Sequence, residues 1–286
     1  MTARTILVPT DFSDAARNAS DYAISLAKAM HYEVLLFHVY NTPVVISSDR
    51  MGAILLDVVQ IEKDIKLRLK EEVDFLNIKH GIEARYESSD GLVADEIVEA
   101  EKKYNPALIV MGMTEEASAL SEFVLGSTST DILNRIHTPL IIVPEKVGFK
   151  KIERVAFASD PRLNLNVDIS SFVKDMFEKF YSTVYILSVV TDPEAAEQTP
   201  KTTDEHLEKH FENRFHSYHF IEHEDVVEGI NEFIDLHKID MVTMMPQKHN
   251  FFSKIFREPN TKRLAFHSHV PLLSLANTEL NKLKSA

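Results

Sequence analysis

A single glycine precedes four hydroxyl side chains in Leu125-Gly126-Ser127-Thr128-Ser129-Thr130, and an apolar, helix-like run begins at Ile132. Glycine lets a backbone approach a ligand closely, and hydroxyls at a helix amino end sit beside unpaired N–H groups carrying partial positive charge. This is the chemistry of an anion or phosphate site. The same residues would serve equally as a turn followed by an ordinary N-cap, and the pattern alone leaves both readings open. Histidines form the second constellation: 9 of the 13 follow residue 200. His206 and His210 stand at i, i+4, with His216, His219 and His223 close behind. Paired histidines on one helical face can hold zinc. In His206-Leu207-Glu208-Lys209-His210, however, the glutamate does not directly follow the first histidine, as the metalloprotease arrangement requires. The expectation is solvated helix histidines and no metal site. No nucleophile elbow, P-loop or G-x-G-x-x-G occurs. No catalytic residue is therefore assigned, and the chain is at most a weak ATPase, a reaction that needs mainly positioning and a metal.

These residues must be positioned by something, and the chain supplies apolar runs alternating with amphipathic stretches. Thr5–Val8 runs into Pro9-Thr10-Asp11, and Val34–Val39 and Ala107–Gly112 follow as further short strands. Between them Ser13–His31 carries apolar residues at spacings of three and four, with Ser13 as N-cap. Leu56–Ile78 and Val93–Lys103 read as further helices, Glu83–Ser88 as a weak strand, and the charged run Glu62–Asp74 as a solvated helix face. The expected fold class is α/β, a doubly wound parallel sheet with helices on both faces. In such sheets ligands bind beyond the carboxyl ends of the strands where the strand order reverses. That edge should gather Pro9, Thr10 and Asp11 with Val39 and Gly112.

The strand pattern then recurs. Asp11 and Asp160 are 149 positions apart, Val34–Val39 and Val184–Val189 are 150 apart, and the pairs ending at Gly112 and Met245 are 133 apart. His137-Thr138-Pro139-Leu140 and His269-Val270-Pro271-Leu272 are 132 apart. Order is kept while the offset falls, as in a duplication with one deletion between Val190 and Val226. Two Rossmann-like domains, 1–147 and 148–286, are expected, joined by the polar stretch Pro144–Glu153. The second has no glycine in the loop region: Met245 follows its strand, and Glu258-Pro259 stands where Gly126-Ser127 would align. Phe251, Phe252, Ile255 and Phe256 make an apolar ridge there, read as core packing or a cover over a vacant cleft, with a partner surface as the sharper alternative.

The phrases ILVPTDFSD, LLFHV and IVMG followed by LGSTS resemble the universal stress protein family, in two tandem copies. In nucleotide-binding members the loop reads glycine, two residues, glycine, nine residues, then glycine with serine or threonine. Gly112 and Gly126-Ser127 match that pattern. Glu115 replaces the second glycine, and ten residues, Glu116–Leu125, stand where nine are expected. The resemblance implies an ATP site in which Asp11 and Val39, beside Pro9 and Thr10, contact adenine. Gly112 would lie by the ribose, and Gly126, Ser127 and Thr128 by the phosphates. A carboxylate about 4 Å from a phosphate charge is repelled by roughly 4 kcal/mol at an effective dielectric near 20, so Glu115 must swing outward or share a magnesium ion. The implied function is a stress-response nucleotide sensor acting through the first domain; the alternative is an interaction scaffold that binds no nucleotide. Homodimers of this family pair corresponding sheet edges. The two halves should therefore form an intramolecular pseudo-dimer through Leu140–Val143 and Leu272–Leu275, with room for further oligomerisation.

Composition narrows the remaining classes. With 31 basic against 44 acidic residues the net charge is −13, which disfavours nucleic acid and anionic membranes as partners. The absence of cysteine removes disulfides, thiol catalysis and cysteine-ligated metals. The opening MTARTILVPTDFSD reaches a proline and two acids too soon for a signal-peptide core, so a cytoplasmic protein is expected.

Overall fold

Strands buried on both faces need near-continuous aliphatic runs. Thr5–Pro9 (β1) shows this, with Ile6, Leu7 and Val8 fully buried. The computed structural model describes residues 4–42, 51–113, 131–133, 135–158, 169–190, 211, 214–244 and 269–275. After β1 come α1 (Asp14–Met30), β2 (Glu33–Tyr40), α2 (Met51–His80), β3 (Arg85–Asp90), α3 (Val93–Tyr104), β4 (Leu108–Met113) and β5 (Leu140–Pro144). The second half contributes β6 (Arg154–Ala158), α4 (Ser171–Phe180), β7 (Thr183–Val190), β8 (His216–Glu222), α5 (Val226–His237), β9 (Met241–Met244) and β10 (Leu272–Ser274). Ser13 caps α1 as its sequence predicts, accepting the Ala16 N–H at 3.2 Å, and His31 ends the helix at φ 58°.

The strands form one ten-stranded sheet in the order β3-β2-β1-β4-β5-β10-β9-β6-β7-β8. Described neighbours run parallel, except that β5 and β10 pair antiparallel, Ile142 against Leu272 and Leu140 against Ser274. The terminal strands of the two halves therefore meet edge to edge with opposite polarity, as a two-fold arrangement requires. The chain is a mixed α/β protein with a mostly parallel sheet, and β5–β10 is its seam.

Both sheet faces carry a core that crosses this seam. One packs α1, α2 and α4 over Ile141 and Leu273; the other packs α3 and α5 over Ile142 and Leu272. Phe149, in the connection between the halves, sits between Tyr22 and Phe180 at ring distances of 5.2 and 6.1 Å. Asn18 donates to the carbonyls of Pro144 and Val147, both at 2.9 Å, and fixes the start of that connection. Arg4 reaches Asp175 at 2.6 Å, but this pair is exposed and contributes about 0–1 kcal/mol. Each large aliphatic side chain buried along the seam contributes about 1.5–3 kcal/mol. Apolar burial holds the halves together.

Two expectations need correcting. His216 and His219 lie on the edge strand β8, not on a helix. The segment His216–Glu222 reads HSYHFIE, whose aromatic and polar residues lack the aliphatic run that marks the other strands. The run Glu62–Asp74 is only partly a solvated face. Glu62–Lys66 and Lys70–Asp74 pair on its outside, whereas the Glu72 side chain is only 9% exposed. Among the described residues no helix is long and apolar enough to cross a membrane.

Candidate functional site

Strand order reverses between β1 and β4, so the carboxyl ends of these strands border the cleft where open α/β sheets bind ligands. At the end of β1, the Thr10 N–H donates to the Phe37 carbonyl at 2.9 Å, extending the ladder one residue past Pro9. The buried Thr10 hydroxyl then accepts the Phe12 N–H at 3.1 Å, and Asp11 Oδ1 accepts the Ser13 N–H at 2.9 Å. Two successive side-chain turns thus lead the chain from strand to helix. They leave the Asp11 side chain exposed beside the amino end of α1.

Phe12 bends this turn. Its φ of 65° lies in the left-handed region, which a phenylalanine rarely adopts, and its ring is buried. His38 packs against the ring at 4.5 Å, and the Arg68 guanidinium from α2 lies 4.1 Å from its centroid. The His38 Nδ1 stands 2.7 Å from the Thr10 carbonyl; a carbonyl only accepts, so that nitrogen carries a proton. Contacts to the ring from β2 and α2 therefore hold the unusual backbone in place.

One turn beyond Arg68, Glu72 is half-buried, its buried Oε1 lacks a hydrogen bond among the described residues, and Arg17 Nε lies 3.8 Å from its other oxygen. Burial pushes the Glu72 carboxyl above the usual range, the charges of Arg17 and Arg68 oppose that shift, and Asp11 adds to it. Phe12, His38, Arg68 and Glu72 were not singled out by sequence. Only the LLFHV strand pointed towards His38, and the contacts of Arg68 and Glu72 are tertiary.

Val39 is half-buried on β2, opposite Ser89 of β3. Gly112 lies on β4 opposite Val143, and a Cβ there would come 2.3 Å from the Ala15 carbonyl oxygen. The glycine thus lets the first turn of α1 rest directly on the sheet. The structure brings Pro9, Thr10, Asp11, Val39 and Gly112 to the carboxyl edges of three adjacent strands. Gly126, Ser127, Thr128 and Glu115 lie outside the described residues, as do His206, His210, the Phe251–Phe256 ridge and Glu258. Downstream of the hydroxyl cluster, residues 131–133 are helical, Ile132 and Leu133 are buried, and Arg135 bonds Asp95 of α3 at 2.6 Å. Among the described residues no group of three or more potential ligands could hold a metal.

Comparison with known proteins agrees with this geometry. Residues 2–144 match the family described as the universal stress protein family. A universal stress protein of Methanocaldococcus jannaschii is 29% identical over 138 residues, 48% of this chain and 80% of that protein. The universal stress protein YxiE of Bacillus subtilis is 30% identical over 144 residues, 48% of this chain and 97% of its own length. Among solved structures, a universal stress protein from Archaeoglobus fulgidus covers 96% of this chain and 99% of its own, with a TM-score of 0.66 at 18% identity. A functionally unknown protein from Pseudomonas aeruginosa PAO1 covers 99% and 98%, with a TM-score of 0.56 at 14% identity. These two likenesses show the fold across both halves.

Proposed function

This chain belongs to the universal stress protein family, and from that premise we propose that it is a cytoplasmic adenine-nucleotide sensor whose first domain, 1–147, binds ATP. The second domain, 148–286, is its tandem partner without a site. The observation that carries this reading is the exposed Asp11 carboxylate, held by the Asp11–Ser13 turn at the strand-order reversal. One carboxylate oxygen is occupied by the Ser13 N–H, and the other makes no hydrogen bond among the described residues. A carboxylate acceptor beside the apolar Val39 suits the amino group and face of adenine. Gly112 would border the ribose, and Gly126, Ser127 and Thr128 would supply backbone N–H groups and hydroxyls to the phosphates. Magnesium would be shared by the phosphates and Glu115. Binding would act by a population shift rather than catalysis.

The test is calorimetric titration of ATP into the full chain and its Asp11→Ala variant. The reading predicts saturable binding weakened roughly tenfold or more by the substitution, the scale of a hydrogen bond to a charged group. Equal affinity in both proteins would remove Asp11 from the site, and no binding to either would leave the scaffold reading. One observation favours that second reading: the space beside Gly112 is filled by the α1 backbone, so packing alone explains this glycine.

A further inference from the structure

On the face of the sheet covered by α5, Tyr185 of β7, His219 of β8 and Phe233 and His237 of α5 form one ring cluster. The His219 and His237 centroids are 5.3 Å apart, His219 meets Phe233 at 5.0 Å, and His237 stacks on Phe233 at 4.1 Å. Tyr185 touches both imidazoles, at 5.4 and 5.5 Å. Both histidines are half-buried. Among the described residues, the titratable groups facing His219 are Tyr185 from β7 and His237 from α5. Its own strand supplies the Ser217 hydroxyl, 2.8 Å from Nε2. Two carboxylates of α5 are engaged elsewhere: Glu232 lies 3.7 Å from His223, and Asp235 lies 3.0 Å from His269.

We propose that this cluster is an acid-operated latch on the outer edge of the sheet: neutral imidazoles hold α5 on β7 and β8, and acidification loosens the helix. His237 occupies the last turn of α5, one ring away from His219. Burial first, and then the charge of His237, hold the His219 imidazole below its ordinary value of 6.5. The docked helix therefore favours neutral His219, whereas an undocked His219 takes up a proton more readily. Docking is fully stabilised above that ordinary value and weakens as the pH falls below it. The carboxylates of the His223–Glu232 and His269–Asp235 pairs are largely exposed, so these contacts contribute little to docking.

The first half supplies an internal control. Its α3 ends on Tyr104 where α5 ends on His237. Glu87 pairs with Phe37 where His219 pairs with Leu187. Among the described residues no imidazole pair stands beneath α3, so the latch belongs to the second half and does not depend on nucleotide.

Hydrogen exchange of the full chain at pH 7.5 and 5.0, corrected for intrinsic rates, compares residues 226–237 with residues 93–104. Protection of 226–237 should fall about tenfold or more on acidification, while 93–104 changes less than about threefold. In His237→Phe, and in His219→Gln, which retains a hydrogen-bonding group for Ser217, the drop in 226–237 should shrink to less than about threefold. Equal losses in the two wild-type helices would overturn the latch, whatever the variants do. So would a wild-type-sized loss in a folded variant.

Discussion

At the end of β4 the first half has Gly112, and the first turn of α1 rests where its side chain would be. At the matching place after β9 the second half has Met245. The outer helices differ as well. Tyr104 at the end of α3 is covered by Lys103 and meets Phe37 edge-on, whereas His237 at the end of α5 stacks within an imidazole cluster. The two halves have matching strand orders outward from the seam but place their unusual chemistry differently. The first keeps close helix–sheet contact and a braced turn at the strand-order reversal. The second concentrates titratable rings at its outer edge. A shared backbone architecture does not entail a shared site, because a few residues at strand and helix ends decide what each edge can hold.

The comparison assumes one continuous sheet, and the most severe substitution tests that assumption. Ile141→Asp would place an unpaired charge in the seam, where Ile141 faces Leu273. Destabilisation of about 4 kcal/mol or more is expected, with both halves unfolding in one transition followed by circular dichroism. Two separated transitions, only one of them shifted, would show that the halves are energetically independent. Gly112→Ala should cost about 1–3 kcal/mol, read from the urea midpoint, because its Cβ meets α1 backbone rather than a movable side chain. An unchanged midpoint would show that α1 yields and would return this glycine to a purely ligand-facing role.

Glu115→Gly sharpens the comparison at the phosphates. Repulsion near 4 kcal/mol is the ceiling at short range, and solvent screening should leave about 1 kcal/mol or less. ATP should therefore tighten by up to about fivefold in titration without magnesium, and adenosine should not change. If Glu115 shares magnesium with the phosphates, the same substitution weakens Mg-ATP instead. The smallest effect is expected for Arg4→Ala, whose exposed pair with Asp175 links the halves. A change below about 1 kcal/mol in thermal unfolding is predicted, and a larger one would mean that this ion pair, rather than the apolar seam, holds the halves.

Much of the scaffold was legible because its chemistry is local. Ile6–Val8, Leu35–Phe37 and Leu140–Val143 announce buried strands by composition, and Ser13 announces the start of α1 by its capping hydroxyl. Strand β8 was not legible: His216–Glu222 gains its strand identity from pairing with β7, not from an aliphatic run. Pro9, Thr10, Asp11, Val39 and Gly112 could be placed at one edge because each sits at or near a strand end. The support beneath them could not. Arg68 reaches Phe12 across 56 residues, and Arg17 of α1 lies 3.8 Å from Glu72, so neither contact leaves a periodic trace in sequence.

Equilibrium dialysis of the full chain against radiolabelled ATP, with and without magnesium, tests the central asymmetry most directly. The account predicts saturation at one nucleotide per chain and loss of that site in Gly126→Glu. Glu258→Gly should retain one, because Pro259 and Met245 still interrupt the second loop. Two nucleotides per wild-type chain, or none at saturating ATP, would contradict it.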